Sequence, residues 1–269
     1  MTGLDIIITL VSIIIIRLSK KTNNIKKSPT YIIVIFILNP KITIMRRIIK
    51  SLVLLVLLIA VVSCQNNKNT QSNNSIEGDM TGTFTDKRDS TEYKWVRIGD
   101  QVWMAENLAY KPTEGKYWAY DNDQNNVAKY GYLYDWETAK KVCPPGWHLP
   151  TDAEWRELEM YLGMSRREAN DTGRRGSDEG GKLKETGTTH WSEPNEGATN
   201  ESGFTALPGG HRYGSGGFNG IGDSGTWWSA TERDTYNAWS RSVSYPDSNV
   251  YKESNYKEYG VSVRCLRDY

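Results

Sequence analysis

The 269 residues carry 33 Lys and Arg against 32 Asp and Glu, but unevenly: the first 64 hold nine bases and one acid, leaving 24 bases and 31 acids in 65–269. An acidic segment such as 65–269, without clustered Lys and Arg, is not suited to a phosphate backbone, so nucleic acid is excluded as an expected partner. All ten Trp and fifteen of the sixteen Tyr follow Cys64, and such rings suit both small cores and wet binding surfaces because each keeps one polar handle.

Residues 1–44 hold two Ile-rich stretches, 6–16 and 31–38, both short for a membrane span. They precede a second, complete signal-like segment and are expected to be an extension upstream of a true start at Met45. Residues 45–63 read as a signal peptide: Arg46, Arg47 and Lys50, an apolar run over 52–62, then the small Ser63 before Cys64. Val61-Val62-Ser63-Cys64 resembles a bacterial lipobox, which implies acylation of the Cys64 thiol and a membrane anchor through that lipid. The expected location is the cell envelope, as an outer-membrane lipoprotein facing the periplasm or the exterior. Residues 64–92 are rich in Asn, Ser, Thr and Gly and read as a flexible tether.

The folded domain is expected over 93–269. It opens with strands at 93–98 and 101–104, joined by the turn pair Gly99-Asp100. Residues 130–134 look extended. Asp135 can cap a helix over 136–142, which Pro144-Pro145-Gly146 ends. A short strand at 147–149 leads to Thr151 and Glu154, spaced as a capping box for a helix over 152–162. On that helix Trp155, Leu158, Tyr161 and Leu162 share one face. A short helical turn at 180–184 and strands at 204–208, 225–230, 238–243 and 260–265 follow. The class is α+β, two helices on a twisted, loop-rich antiparallel sheet. With Cys64 lipidated, Cys143 and Cys265 remain as an even pair in an oxidising compartment, and a structural disulfide is preferred to a reactive thiol.

Six segments carry a family resemblance: GDQVWMAENL at 99–108, YGYLYDWETAK at 130–140, CPPGWHLPTDAEW at 143–155, GFTALPGGHR at 203–212, WWSATE at 227–232 and GVSVRC at 260–265. Together they resemble the Fibrobacter succinogenes major paralogous domain, in order over nearly all of 95–267. More distantly, Trp136, Ala139, Cys143, Gly146, Leu149 and Glu154 are spaced like the core of C-type-lectin-like domains. That likeness implies the same fold and a Cys143–Cys265 bridge from the first helix to the last strand. LPTDAEW is also similar to a segment of formylglycine-generating-enzyme-like domains, but a shared fold does not transfer an activity.

The inventory of reactive residues favours binding over catalysis. A copper-dependent formylglycine-generating enzyme needs two cysteines late in the chain, and only Cys265 lies there. His148, His190 and His211 show no zinc spacing. Glu193-Pro194-Asn195 matches the calcium triplet of C-type lectins, but its partner motif is replaced by Trp239-Ser240-Arg241, so a loop turn is the preferred reading. No cofactor or metal is expected. The remaining candidates are a loop at 209–213 with His211, Arg212 and Tyr213 as ligand contacts, and Trp227 and Trp228. Adjacent strand residues face opposite ways, so one of that pair is expected in the core and the other as a stacking face. The expected function is a lipid-anchored, non-catalytic module for a glycan or a cell-surface protein. A formylglycine-generating-type enzyme and a purely structural surface protein are the alternatives.

Overall fold

A computed structural model describes residues 80–268; the expected upstream extension, signal peptide, lipidation site Cys64 and first part of the expected tether lie outside the described residues. Fourteen strands among these residues form two sheets. The smaller runs in the order β1 (Thr81–Thr85), β2 (Glu92–Ile98), β3 (Gln101–Met104), β14 (Leu266–Arg267), β6 (Trp147–His148), with antiparallel pairings.

The larger sheet runs β4 (Tyr117–Trp118), β5 (Leu133–Tyr134), β13 (Val261–Ser262), β10 (Ser224–Glu232), β11 (Asn237–Ser244), β12 (Val250–Tyr256), β7 (Gly173–Arg175). A side ribbon of β8 (Gly209–Arg212) and β9 (Phe218–Ile221) joins it at β10. The pairings of β10 with β13 and with β8 are parallel, so this sheet is mixed rather than purely antiparallel. The class is α+β, but with two sheets where the sequence suggested one.

The helices are short. α1 (Val127–Tyr130), α4 (Arg166–Asn170) and α5 (Glu179–Leu183) are single turns, whereas α2 (Trp136–Val142) and α3 (Asp152–Tyr161) are the two expected helices. Both begin as the sequence predicts. The Asp135 carboxylate accepts from the Thr138 N–H at 2.9 Å, and Thr151 and Glu154 complete a capping box. Trp155, Leu158 and Leu162 are buried, but Tyr161 is 62% exposed. It lies at the rim of the apolar face, where its ring passes close to Gly99 in the β2–β3 turn.

The folded part begins earlier than expected. Residues 81–92, assigned to the tether on composition, form β1 and the start of β2. Phe84 stacks on Trp147 with centroids 4.5 Å apart, and the Arg88 guanidinium lies 3.7 Å from the centre of the Tyr110 ring. Arg88 also donates to the carbonyls of Val142 and Cys143, tying the β1–β2 turn to the end of α2.

β10 divides two cores. Trp227 packs on one face with Trp103, Trp155 and Phe204, and Trp228 on the other with Tyr134, Trp136 and Val261. Full burial of these indoles is tolerated because each N–H is satisfied. Trp227 donates to Asn107 Oδ1 and Trp228 to the Tyr134 carbonyl, both at 2.8 Å. The Cys143–Cys265 disulfide is formed across a separation of 122 residues and joins the end of α2 to the residue before β14.

Three buried polar assemblies lock the chain. Asp152 and Glu159 of α3 hold Arg241, Lys252 and Arg175 from β11, β12 and β7, with N–O distances of 2.7–2.9 Å. The fully buried Lys184 donates to the carbonyls of Glu196, Ser244 and Asp247, one acceptor for each proton. Burial pushes its pKa down to about 8. Asn107 accepts from Trp227 and from Arg264 Nε and Nη2 while donating to the Tyr130 carbonyl. Arg264 has no exposure and also donates to the carbonyls of Phe204 and Thr205.

Candidate functional site

Residues 209–213 are mostly strand rather than loop: 209–212 are β8, and Tyr213 begins its turn to β9. Gly210 serves packing rather than a ligand. With φ +62°, a Cβ there would fall 2.4 Å from the Asn219 carbonyl oxygen and 2.8 Å from the Tyr120 ring. Its small size lets β8 and β9 meet under Tyr120.

Trp227 and Trp228 do face opposite sides of β10, but at 1% and 0% exposure neither can present a stacking face. The expectation that one of them contacts a ligand is therefore corrected. Each side of β10 carries its own core, so both rings are enclosed.

His211, Arg212 and Tyr213 do reach the surface, and the fold brings other rings to them. β8 and the β12–β13 turn meet through reciprocal backbone bonds between Arg212 and Gly260 of 2.8 and 2.9 Å. That junction places Tyr213 against Tyr259 edge-on, centroids 5.5 Å apart, and against His211 at 4.7 Å. Tyr256 lies 5.6 Å from Tyr259 and is 53% exposed; Tyr213 is 36% exposed. Tyr236, 72% exposed, sits one residue before the β11 position that pairs with Tyr256.

Arg212, between His211 and Tyr213, turns to the other face of β8. Its guanidinium lies 4.2 Å from the Trp118 ring centre and 5.9 Å from that of Phe218, and it donates to the Tyr213 carbonyl at 3.0 Å. Burial lowers the His211 pKa, so near neutral pH its ring is uncharged and offers one donor and one acceptor. Exposed ring faces and a neutral imidazole beside them can cover the apolar face of a small ring compound and hydrogen-bond its hydroxyls. Tyr256, Tyr259 and Trp118 escaped the sequence reading. The available signal was two Tyr spaced by three in the otherwise polar Asn255-Tyr256-Lys257-Glu258-Tyr259.

Glu193 is exposed, while Asn195 is buried and uses its amide to donate to the carbonyls of Glu185 and Gly187 at 2.9 and 2.7 Å. The triplet thus organises a loop. Among the described residues no group of three or more His, Cys, Asp and Glu could hold a metal ion. A separate open cleft of about 780 Å³ runs between the β1–β2 ribbon and the 185–207 segment, lined in part by Lys94, Glu106, Lys129 and His190. None of the candidate ligand residues lines it.

Comparison with known proteins gives one finding: the family model described as Fibrobacter succinogenes major domain matches residues 96–267. No curated protein and no solved structure matches. The matched span covers every strand from β3 to β14 and both sides of the aromatic surface.

Proposed function

This chain belongs to the Fibrobacter succinogenes major domain family, and from that footing we propose that it is a non-catalytic, lipid-anchored cell-envelope module that binds glycan through the surface around Tyr213 and Tyr256. The observation that carries the reading is the clustering of exposed rings. Tyr213 and Tyr256 flank Tyr259, with His211 beside them. Contiguous exposed aromatic surface on a soluble domain marks an interaction site more often than a packing accident. Polar partners at its edge favour a hydroxylated ring over a purely apolar ligand. The spacing likeness to C-type-lectin-like domains agrees with a binding role, without calcium in this reading.

The test is an array of glycans and cell-surface proteins probed with the full chain, with and without chelator. Glycan binding indifferent to chelator supports the reading. Binding lost on chelation returns the site to Glu193 and Asn195, and binding to proteins alone assigns the other ligand class. The anchor is tested separately. Cys64→Ala is expected to release the protein from the membrane fraction or stall its processing, and membrane retention after normal cleavage would refute lipidation.

A further inference from the structure

His148 stands in β6 opposite Leu266 of β14, in the sheet away from the aromatic surface. Both of its ring nitrogens meet carboxylates. Nδ1 lies 2.7 Å from Asp268 Oδ1, and Nε2 lies 2.9 Å from Glu154 Oε1. Glu154 is fixed independently, because its other oxygen accepts from the Thr151 N–H and hydroxyl at 2.7 and 2.8 Å. Asp268 lies just beyond β14 and donates its own N–H to the Gly146 carbonyl at 2.9 Å.

Only one protonation state satisfies this arrangement. A neutral imidazole has one N–H and one lone pair, so it can serve one carboxylate and must turn a lone pair toward the other. The imidazolium donates to both. Glu154 from α3 and Asp268 from the end of the chain are the charged groups facing the ring. Arg267 pairs with Trp147, and strand alternation sends its side chain to the opposite face. The hydrogen bond to Glu154 raises the His148 pKa above its ordinary value, burial opposes that rise, and the Asp268 bond adds to it.

We propose that His148 is a proton-operated clasp on the C-terminal strand. Protonated, it ties Asp268 to the N-terminus of α3; deprotonated, it releases one of the two. β14 bridges β3 and β6 in the smaller sheet, so the clasp governs how firmly that sheet is closed next to the Cys143–Cys265 disulfide. A group whose pKa is raised by folding contributes stability that is complete below the unfolded value, about 6.5 for His. That contribution is lost as pH rises through the folded value.

The experiment is NMR on the full-length protein. Ring ¹⁵N shifts follow the protonation of His148, and amide exchange at Leu266 and Asp268, referenced to amides of β10, follows the strand. The expected midpoint lies above 6.5, and relative protection at Leu266 and Asp268 falls severalfold across that same midpoint. Asp268→Asn, at a side chain 54% exposed, should lower the midpoint and shrink the step while protection in α3 stays unchanged. His148→Gln should abolish the step. A wild-type midpoint at or below 6.5, protection with no step at the midpoint, or an Asp268→Asn midpoint equal to wild type would each overturn the clasp.

Discussion

Replacing Asn107 by Leu isolates the polar node that joins four of the family segments. Asn107 Oδ1 takes three N–H groups at 2.8–3.1 Å, and its amide donates to the Tyr130 carbonyl at 2.9 Å. In Asn107→Leu the Trp227 indole N–H and the Tyr130 carbonyl lose these partners inside the core, at about 1–3 kcal/mol for a buried orphan. Arg264 loses two charge-assisted bonds of about 1.5–3 kcal/mol each. It has no exposure to solvent that could replace them, and burial already pushes its pKa down to about 9. Because such losses are not additive, the net cost is on the order of 4–6 kcal/mol. That is a large part of the roughly 5–15 kcal/mol that holds a domain together. Denaturant unfolding of the full-length protein, followed by Trp fluorescence, reads the cost from the midpoint at unchanged slope. Arg264→Met should cost less in the Asn107→Leu background than in wild type, since the charge is already stranded there, although the Phe204 and Thr205 carbonyls lose their donor in either background. Asn107→Leu within about 1 kcal/mol of wild type, or a double variant whose cost is the plain sum of the two single variants, would refute the structural role of the node.

Two further outcomes follow from the same physics. Cys143→Ser with Cys265→Ser opens a 122-residue crosslink, and in the chain-entropy model this costs about 4–5 kcal/mol; an unchanged melting temperature would count against the staple. Burial alone would raise the Asp152 pKa, but Arg241 and Lys252 outweigh it and hold the carboxyl below its ordinary value. The stability it contributes is present above about pH 3.9 and lost as pH falls through the lower folded value. Melting temperature should therefore drop across that acid window, and Asp152→Asn should flatten the drop.

The parts of the fold legible in the sequence were those written locally. The Thr151–Glu154 box, the Asp135 cap and the Gly99-Asp100 turn each need only three or four neighbouring residues. β1 was hidden because Thr81-Gly82-Thr83-Phe84-Thr85 is too polar to signal a strand by itself; its aromatic support, Trp147, lies 63 positions beyond Phe84. The opposed directions of Trp227 and Trp228 followed from strand period, but period does not say that both faces of β10 are covered. Asn107 and Arg264 are polar residues inside motifs, and their burial becomes intelligible only when positions 157 apart meet. The candidate surface was half visible for a similar reason. His211 to Tyr213 stood in a recognisable segment, whereas Tyr256 and Tyr259 join them only through the bridge between Arg212 and Gly260.

Calorimetry of the full-length protein with a glycan taken from the array reads binding at the Tyr213–Tyr256 surface. Tyr213→Ala and Tyr256→Ala remove exposed rings without opening the core, while Tyr161→Ala removes a still more exposed ring on α3. Each of the first two should weaken binding roughly tenfold, about 1.4 kcal/mol, and Tyr161→Ala should leave it unchanged. Wild-type affinity in both Tyr213→Ala and Tyr256→Ala would contradict the assignment.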